Sequence, residues 1–360
     1  MLVTKYGTLF GHAPLQMGRV IFVAPAASYT INGDAYSASD DNSGLSPFHA
    51  LLTISQAQTI ATANVGDTVI LLEGTHALTA TLRLNKAGVT YLGVRSPSTI
   101  ESTVSPAFGL PPKTIVSFAG AAAPGLSIEA DNIEIAFVTL RPAPGFGTVI
   151  FRNADPDGLY LHDFAIDFTR GAPGLTTNGI DFGYRADTAG LAGTSMSRLR
   201  QSTQRATAYL ANFSILSGGA YGPGIITATA DVTVVNGRFH NRAGAWATPF
   251  AVATGTGYVF IKGCTWTAQG TTGIGTCLDG TNSETSENSS GSKQFTNNKV
   301  AAHDCRFTAP APVGPNSPVD NWPTGVISLT ECYQGNNNLT AVGVGLFASV
   351  ATPFQTISSV

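Results

Sequence analysis

Apolar residues recur along the chain in a repeated pattern, with apolar positions 0, 2, 5 and 7 and a turn-forming residue at position 4. Strict alternation with period two directs one side of a short strand inward, and the change of phase at position 4 requires a bend. The pattern therefore predicts pairs of short strands joined by a sharp turn. Repeats that follow this template wholly or in part begin at Val89, Ile133, Leu159, Ala208, Val232, Val259 and Val300.

Position 4 is filled mostly by residues that adopt a left-handed backbone at little cost. Phe137 is the exception, in the repeat that begins at Ile133. We expect the others to stack as a hydrogen-bonded structural ladder, an interpretation that we prefer to a catalytic one. The predicted ladder consists of Asp163, Asn212, Asn236, Gly263 and Asp304.

The spacing of the repeats indicates one coil of a solenoid per repeat. Successive starts lie 26, 24 and 27 residues apart, and we interpret longer gaps of 44, 49 and 41 residues as two steps each. A β-sandwich also contains many short strands, but it would not keep one inward pattern with a turn residue at one fixed position. The sequence therefore predicts an all-β fold, a parallel β-helix.

A short amphipathic helix is predicted before the first coil, within residues 46–63. Ser46 is a suitable N-cap, and Pro47 suits the first helical turn. Such a helix would cover the open end of the solenoid, where core and strand edges are otherwise exposed. The run from Val65 to His76 (VGDTVILLEGTH) then predicts a strand that ends in a turn. The apolar positions at helical spacing are Leu51, Ile54, Ala57 and Ile60.

The run from Asp40 to His76 resembles the entry segment of the pectate-lyase-like β-helix superfamily, in which a turn-rich stretch, a capping helix and a "GDTV…GTY"-like strand recur. The preceding run, GRVIFVAPAASYTINGDAYSASDDNSG (Gly18 to Gly44), is similar to phage-encoded β-helix virion proteins. The resemblance covers about a sixth of the chain. It implies a right-handed solenoid and, for the virion proteins, a homotrimer on a capsid or tail.

Charge is scarce: charged residues make up 11% of the chain, and the net charge is −3. Nucleic acid is not an expected partner, because phosphate binding needs clustered Lys and Arg. The nearest approach to a basic cluster is interpreted as a solvated loop face in preference to an anion site; it consists of Arg185, Arg198, Arg200 and Arg205. No apolar run approaches the ~20 residues of a membrane span. The first twenty residues lack the pattern of a secretion signal, so we expect none.

An enzymatic function needs separate consideration, because the superfamily includes lyases and glycosidases. Glycoside cleavage requires two placed carboxylates. The acidic motifs that the resemblance implies for such enzymes are absent from the aligned coils, and the one adjacent Asp-Asp pair precedes the capping helix. Asp155 and Asp157, with Arg152 and His162 nearby, are the best enzymatic candidates, although a polar loop is the preferred interpretation. The chain is therefore expected not to be an enzyme.

Metal and cofactor binding are not expected, because the six histidines are scattered and no pair has metal-site spacing. Cys264 and Cys305 both occupy inward position 5, as does Cys332 if a coil starts at Ile327. Buried thiols are the preferred interpretation. A disulfide between neighbouring coils is the alternative, because coils lie ~4.8 Å apart.

The two ends are apolar, and the last 29 residues, after Glu331, carry no charged side chain. Apolar tails of soluble proteins are normally covered. Covering by other copies gives a closed oligomer, most simply a trimer. We divide the chain into an N-terminal arm and entry segment (1–45), a β-helix with its capping helix (46–335) and a C-terminal tail (336–360). The candidate assembly contacts are Tyr6, Leu9, Phe10, Leu346, Phe347 and Phe354.

These features favour a non-enzymatic structural protein of a bacteriophage virion, a trimeric cement or decoration protein that stabilises the capsid. Its expected partners are the major capsid protein or other virion proteins, and its expected location is the capsid surface after assembly in the host cytoplasm. The alternative is a tailspike or receptor-binding protein that binds or depolymerises cell-surface polysaccharide. That reading expects aromatic residues and paired carboxylates along one outer groove, whereas Trp266 takes an inward position. A cellular polysaccharide lyase is a third reading, and it expects a secretion signal.

Overall fold

The structure is a computed structural model, and it describes 18 segments that span the chain between residues 18 and 334. These are residues 18–94, 112–119, 124–143, 147–152, 157–169, 178–182, 207–218, 224–227, 231–242, 246, 249–252, 258–268, 274, 277–279, 299–308, 319–320, 327–330 and 332–334. In the described part of the chain, no helix is both long and apolar enough to cross a membrane.

A complete coil contributes one strand to each of three parallel sheets, and two long strands, Thr207–Ser217 and Asp231–Asn241, run through sheets 1 and 2. Sheet 1 contains β1 (Val20–Val23), β4 (Thr68–Leu71), β7 (Thr90–Leu92), β10 (Glu134–Ala136), β13 (Leu159–His162), the first halves of β16 (Thr207–Ser217) and β18 (Asp231–Asn241), β20 (Tyr258–Lys262), β23 (Lys299–His303) and β26 (Ile327–Thr330). Sheet 2 contains β5 (Gly74–Leu78), β8 (Thr114–Phe118), β11 (Val138–Pro142), β14 (Ala165–Asp167), the second halves of β16 and β18, β21 (Thr265–Ala268), β24 (Arg306–Thr308) and β27 (Tyr333–Gln334). Sheet 3 contains β6 (Leu82–Leu84), β9 (Leu126–Ile128), β12 (Thr148–Arg152), β15 (Asn178–Phe182), β17 (Ile225–Thr227), β19 (Phe250–Val252), β22 (Leu278–Asp279) and β25 (Val319–Asp320).

The strands of successive coils pair in the predicted register. Position 2 of one repeat lies opposite position 2 of the next, as Leu161 does with Leu210 and Leu210 with Val234. The same alignment continues from Val234 to Ile261 and from Ile261 to Ala302. The chain is therefore a right-handed parallel β-helix, and the predicted fold class is confirmed.

The prediction that the longer gaps contain two coils is wrong. Leu159 pairs directly with Ala208, and Val259 pairs directly with Val300, so each long gap is a single coil. Ladder hydrogen bonds form between neighbouring strands whatever the length of the connection. The entropy of closing a loop also rises only slowly with its length, so a coil accepts an insertion at small cost.

Stacked aromatic side chains fill much of the interior. The rings of Phe164 and Phe213 stack at 5.0 Å between centroids. Trp266 lies between Phe239 and Phe307, at 5.1 and 4.8 Å, and it is fully buried, as its inward position predicts. All four cysteines are buried, as the inward positions of Cys264, Cys305 and Cys332 predict.

The bend between sheets 1 and 2 has a left-handed backbone in six successive coils. The φ values at position 4 are 58° for Phe137, 51° for Asp163, 52° for Asn212, 54° for Asn236, 62° for Gly263 and 51° for Asp304. The side-chain amide of Asn236 donates to Oδ1 of Asn212 in the coil before it, at 3.2 Å. A Cβ on Gly263 would lie 2.7 Å from Oδ1 of Asn236. These contacts show how closely the turns of neighbouring coils stack.

The N-terminal cap consists of two short helices instead of one. Ser46 caps a 3₁₀ helix, Pro47–His49, and Thr53 caps the α-helix α1, Ile54–Ile60, by accepting from the Gln56 N–H at 3.1 Å. The helices are separated because the intervening backbone is extended: the Leu51 N–H donates to the carbonyl of Phe22 in β1. The sequence pattern therefore located the cap but not the break within it.

An antiparallel hairpin of β2 (Ser28–Ile31) and β3 (Asp34–Ser37) follows β1. Asn32 and Gly33 form its turn, both with positive φ, as a two-residue hairpin turn requires. The hairpin contributes Tyr29 to a second, smaller core that includes Ile70 of sheet 1. The hairpin therefore packs on the outer side of sheet 1 near the N-terminal end of the solenoid.

Candidate functional site

The outer side of sheet 1 carries a line of exposed aromatic side chains. We call this surface the aromatic face, and it consists of Tyr160, Tyr209, Tyr258 and Phe260, each 39–45% exposed. Tyr160 and Tyr209 are register partners in neighbouring coils, and their ring centroids lie 5.3 Å apart. The other large apolar residues that are exposed in the described part of the chain lie near the N-terminal cap.

An ionic trio borders the aromatic face. Nε2 of His162 lies 3.0 Å from Oε1 of Glu134 in the coil before it, and Nδ1 of His162 lies 2.8 Å from Oδ2 of Asp163. The second oxygen of Glu134 accepts from the hydroxyl of Thr90 at 3.2 Å. The imidazole of His162 therefore links two successive coils through two carboxylates.

His162 is held in its charged form by this arrangement. Burial opposes the charge, but the hydrogen bonds and negative charges of Asp163 and Glu134 outweigh it and raise the pKa of His162 to about 9. The ring of Tyr160 stacks on the imidazolium at 4.2 Å between centroids, and Phe137 meets it edge-on at 5.7 Å. At neutral pH the trio therefore carries a net charge of about −1, packed against aromatic rings.

A second row of acidic residues lies at or just before the first residues of the sheet 1 strands. Oδ1 of Asp131 accepts from the Asp157 N–H at 2.7 Å, and Oδ1 of Asp157 accepts from the Thr207 N–H at 2.8 Å. Oδ1 of Asp231 accepts from the Tyr258 N–H at 2.7 Å. Each carboxylate therefore holds the backbone of the next coil, which assigns these acids a structural role in the coil-to-coil turns.

The arrangement is suited to binding more than to acid–base catalysis. A general acid or base needs a carboxyl group whose proton is available to the substrate. Glu134 and Asp163 each accept a hydrogen bond from the same imidazolium, so one oxygen of each carboxylate is already engaged. The described residues also contain no group of three or more His, Cys, Asp or Glu side chains that could hold a metal ion.

The structure separates the enzymatic candidates. His162 bonds to Glu134 and Asp163, whereas Asp157 is occupied by the backbone of its own turn and the next coil. Asp155 and the side chain of Arg152 lie outside the described residues. The candidate assembly contacts also lie outside them: Tyr6, Leu9, Phe10, Leu346, Phe347 and Phe354.

Sequence reasoning missed the aromatic face, although the signal was present. Tyr160, Tyr209 and Phe260 all occupy position 1 of the repeat, which points outward, and Glu134 does so as well. An outward position normally carries a polar residue. Large aromatic residues at the same outward position in three coils therefore indicate a contact surface. The sequence analysis missed this signal because it considered only the inward positions of the repeat.

Known proteins resemble the chain in fold but not in sequence. No protein-family model matches it, and no curated protein matches it. Among solved structures, a pectin methylesterase from Aspergillus niger is 12% identical with a TM-score of 0.49, over 94% of this chain and 92% of that one. Pectin methylesterase PemA from Erwinia chrysanthemi is 10% identical with a TM-score of 0.46, over 95% and 93%. ORF18 of Geobacillus virus E2 is 10% identical with a TM-score of 0.28, over 78% and 57%.

At these identities the likeness concerns the fold alone. The parallel β-helix fold itself is established by the pairing of the strands in this chain. Its function has to be argued from its own surfaces.

Proposed function

We propose that this protein is a non-enzymatic structural component of a bacteriophage virion, in which three parallel β-helices associate through the aromatic face. The observation that carries the proposal is the exposure of Tyr160, Tyr209 and Phe260 on one outer side of a rigid solenoid. Aromatic residues are enriched at protein interfaces, and Tyr contributes a large contact area while its hydroxyl still finds a partner.

Association of copies in register would bring like surfaces together. In a parallel trimer each coil meets the corresponding coil of a neighbouring copy, so the exposed rings of one copy lie against those of the next. The starts of the sheet 1 strands then face the strand ends of the neighbour.

The non-enzymatic assignment is supported by the ionic trio. The two carboxylates nearest the exposed rings, Glu134 and Asp163, are held by one imidazolium. The virion assignment is supported by the resemblance of residues 18–44 to phage-encoded β-helix proteins. We propose the capsid surface as its location and the major capsid protein or another virion protein as its partner. The apolar ends, including Phe10 and Phe347, would supply further contacts.

Light scattering of the purified chain tests the association. We expect the mass of a trimer for the wild type and of a monomer for Tyr209→Ser/Phe260→Ser. A matched control, Leu45→Ser/Val65→Ser, removes two exposed apolar residues near the N-terminal cap and should stay trimeric. A monomeric wild type, or a trimeric Tyr209→Ser/Phe260→Ser variant, contradicts the proposed interface.

The number of copies per particle tests the location: hundreds fit capsid decoration, and a few tens at one vertex fit a spike.

A second candidate function, polysaccharide binding by a tailspike or receptor-binding protein, is favoured by one observation. Tyr160 stacks on His162 and is still 39% exposed beside Tyr209, which leaves ring surface for a sugar to stack on. Incubation with the host capsule separates the two functions. Retention or depolymerisation that Tyr160→Ser abolishes, in a monomeric protein, would favour polysaccharide binding. A trimer without such retention favours the structural role.

A further inference from the structure

The outer side of sheet 2 carries a cluster of cations in its sixth coil. Arg238 and His240 alternate along β18 and point to its outer side, and Arg242 directly follows the last residue of the strand; all three are partly buried. The strands on both sides present no charged side chain beside Arg238: its register partners are Ser214 in β16 and Thr265 in β21.

The positive charge of this cluster is not balanced by the acids of the described residues, because none of them forms an ion pair with Arg238 or Arg242. Asp167 lies two coils away and is paired with Arg141 at 3.4 Å. Arg306 lies two coils away in the other direction and adds a further positive charge. The sequence adds no acid in the segments that follow the sheet 2 strands of these coils: residues 170–177, 219–223, 243–248, 269–273 and 309–318 contain no Asp or Glu.

Arg238 also has an unused hydrogen-bond donor. Its Nε is buried and has no acceptor among the described residues. A buried guanidinium N–H without an acceptor is costly, and that cost is removed when an anion supplies an oxygen. This observation concerns hydrogen bonding and is therefore independent of the charge surplus.

His240 lies between the two arginines and reports on their charge. Burial, followed by the charges of Arg238 and Arg242, lowers the pKa of His240 to about 4. Its Nδ1 lies 2.7 Å from the hydroxyl of Thr267. At neutral pH the imidazole is therefore uncharged, and it adds a hydrogen-bonding group to the cluster without adding charge.

We propose that Arg238 and Arg242 form a binding site for a tetrahedral oxyanion, sulfate or phosphate, on the outer side of sheet 2. Guanidinium groups bind such anions through paired N–H donors, and two of them balance a divalent anion. The site lies on a different sheet from the aromatic face, so it does not depend on the proposed trimer.

Isothermal titration calorimetry at pH 7 with sodium sulfate and sodium phosphate, at constant ionic strength in NaCl, tests the proposal. We expect saturable binding of one anion per chain, weakened at least tenfold in Arg242→Gln and in Arg238→Gln. Arg83→Gln removes an exposed arginine on sheet 3 and should leave the affinity unchanged. Absence of saturable heat, or equal binding by Arg242→Gln, overturns the proposal. If Arg238→Gln does not fold, Arg242→Gln alone decides.

The pKa of His240, followed by NMR, gives a second readout at the site itself. Bound sulfate should raise this pKa saturably, whereas NaCl at equal ionic strength should not. Arg242→Gln should raise the pKa without sulfate and remove the response. An equal rise in NaCl contradicts a specific site.

Dextran sulfate then distinguishes the sources of the anion. Tighter binding than by inorganic sulfate, lost in Arg242→Gln, indicates a group carried on a polymer, and equal affinity per sulfate indicates a free ion.

Discussion

The ring of Phe213 fills the space that a side chain at position 237 would occupy. The two residues are register partners in neighbouring coils, and a Cβ on Gly237 would lie 2.4 Å from Cζ of Phe213. Phe213 is fully buried, with Phe164 stacked on one side and Phe239 edge-on at 5.7 Å. The interior therefore fits a large ring in one coil to a missing side chain in the next.

Gly237→Ala is predicted to destabilise the protein by about 1–3 kcal/mol, the usual cost of overpacking a well-packed core. The new methyl group would have to displace the Phe213 ring, which its neighbours hold. Urea unfolding followed by circular dichroism measures the change. In Phe213→Leu/Gly237→Ala the smaller side chain makes room for the methyl group, so the loss should be smaller than the sum of the two single losses. Additive losses would contradict this packing relationship.

The His162 trio is predicted to make stability depend on pH. The pKa of His162 in the folded protein, about 9, lies above the value of 6.5 for the unfolded chain. The charged form is therefore favoured in the folded state, and its contribution is fully present below pH 6.5 and lost as pH rises through 9. A shift of this size corresponds to at most roughly 3 kcal/mol.

Urea unfolding of wild type and His162→Gln at pH 6, 7.5 and 9.5 measures this contribution. The difference in unfolding free energy should be largest at pH 6 and smallest at pH 9.5. His49→Gln, which replaces an exposed histidine, should track the wild type at all three values. A constant difference between wild type and His162→Gln would show that His162 is not charged through its carboxylate partners.

Phe137 is predicted to be a strained turn residue. Its φ of 58° is unfavourable for a bulky side chain, whereas Asn tolerates the same conformation at position 4 of later coils. Phe137→Asn should therefore stabilise the protein by up to about 1 kcal/mol, reduced by the loss of the ring contact with His162. Asn212→Ala should destabilise it by about 1 kcal/mol, because Ala pays the left-handed cost and removes the acceptor for Asn236. Thermal unfolding of both variants tests the pair, and a loss of stability in Phe137→Asn would refute the strain.

The four cysteines are predicted to be unreactive in the folded protein. The hydrogen bond with Cys264 and burial outweigh the hydrogen bond with Cys332 and raise the pKa of Cys305 to about 12, and burial raises the pKa of Cys277. The thiolate is the reactive form, so burial limits the access of a reagent to all four thiols, and the raised pKa also limits the ionisation of Cys277 and Cys305. Ellman's reagent at pH 8 should label fewer than one thiol per native chain and four in guanidinium chloride. Rapid labelling of one thiol without denaturant would contradict the buried column.

Much of the solenoid could be predicted from the sequence because every coil of a β-helix repeats the same pattern of inward residues and turns. Leu161, Leu210 and Val234 occupy position 2 of their repeats, and the structure pairs them in that order. The turn at position 4 was also readable, since Asn, Asp and Gly are the residues that tolerate positive φ. Both features depend only on neighbouring residues and on the alternation of a strand.

The lengths of the coils and the outer surfaces were not readable in the same way. Whether 49 residues form one coil or two depends on which strand Leu159 meets, and the loop between the strands carries no repeat that decides it. Likewise, nothing near Glu134 in the chain indicates that it shares an imidazole with Asp163, because the contact joins two coils 28 residues apart.

The sequence by itself determined the parallel β-helix, its inward register and the presence of an N-terminal cap, because each follows from local periodicity and turn chemistry. Only the tertiary structure decided that Tyr160 and Tyr209 form one exposed face, that His162 clamps two coils, and that Arg238 and Arg242 stand without a described carboxylate partner. Those relationships arise from stacking coils ~4.8 Å apart, which places side chains distant in the chain within reach of one another.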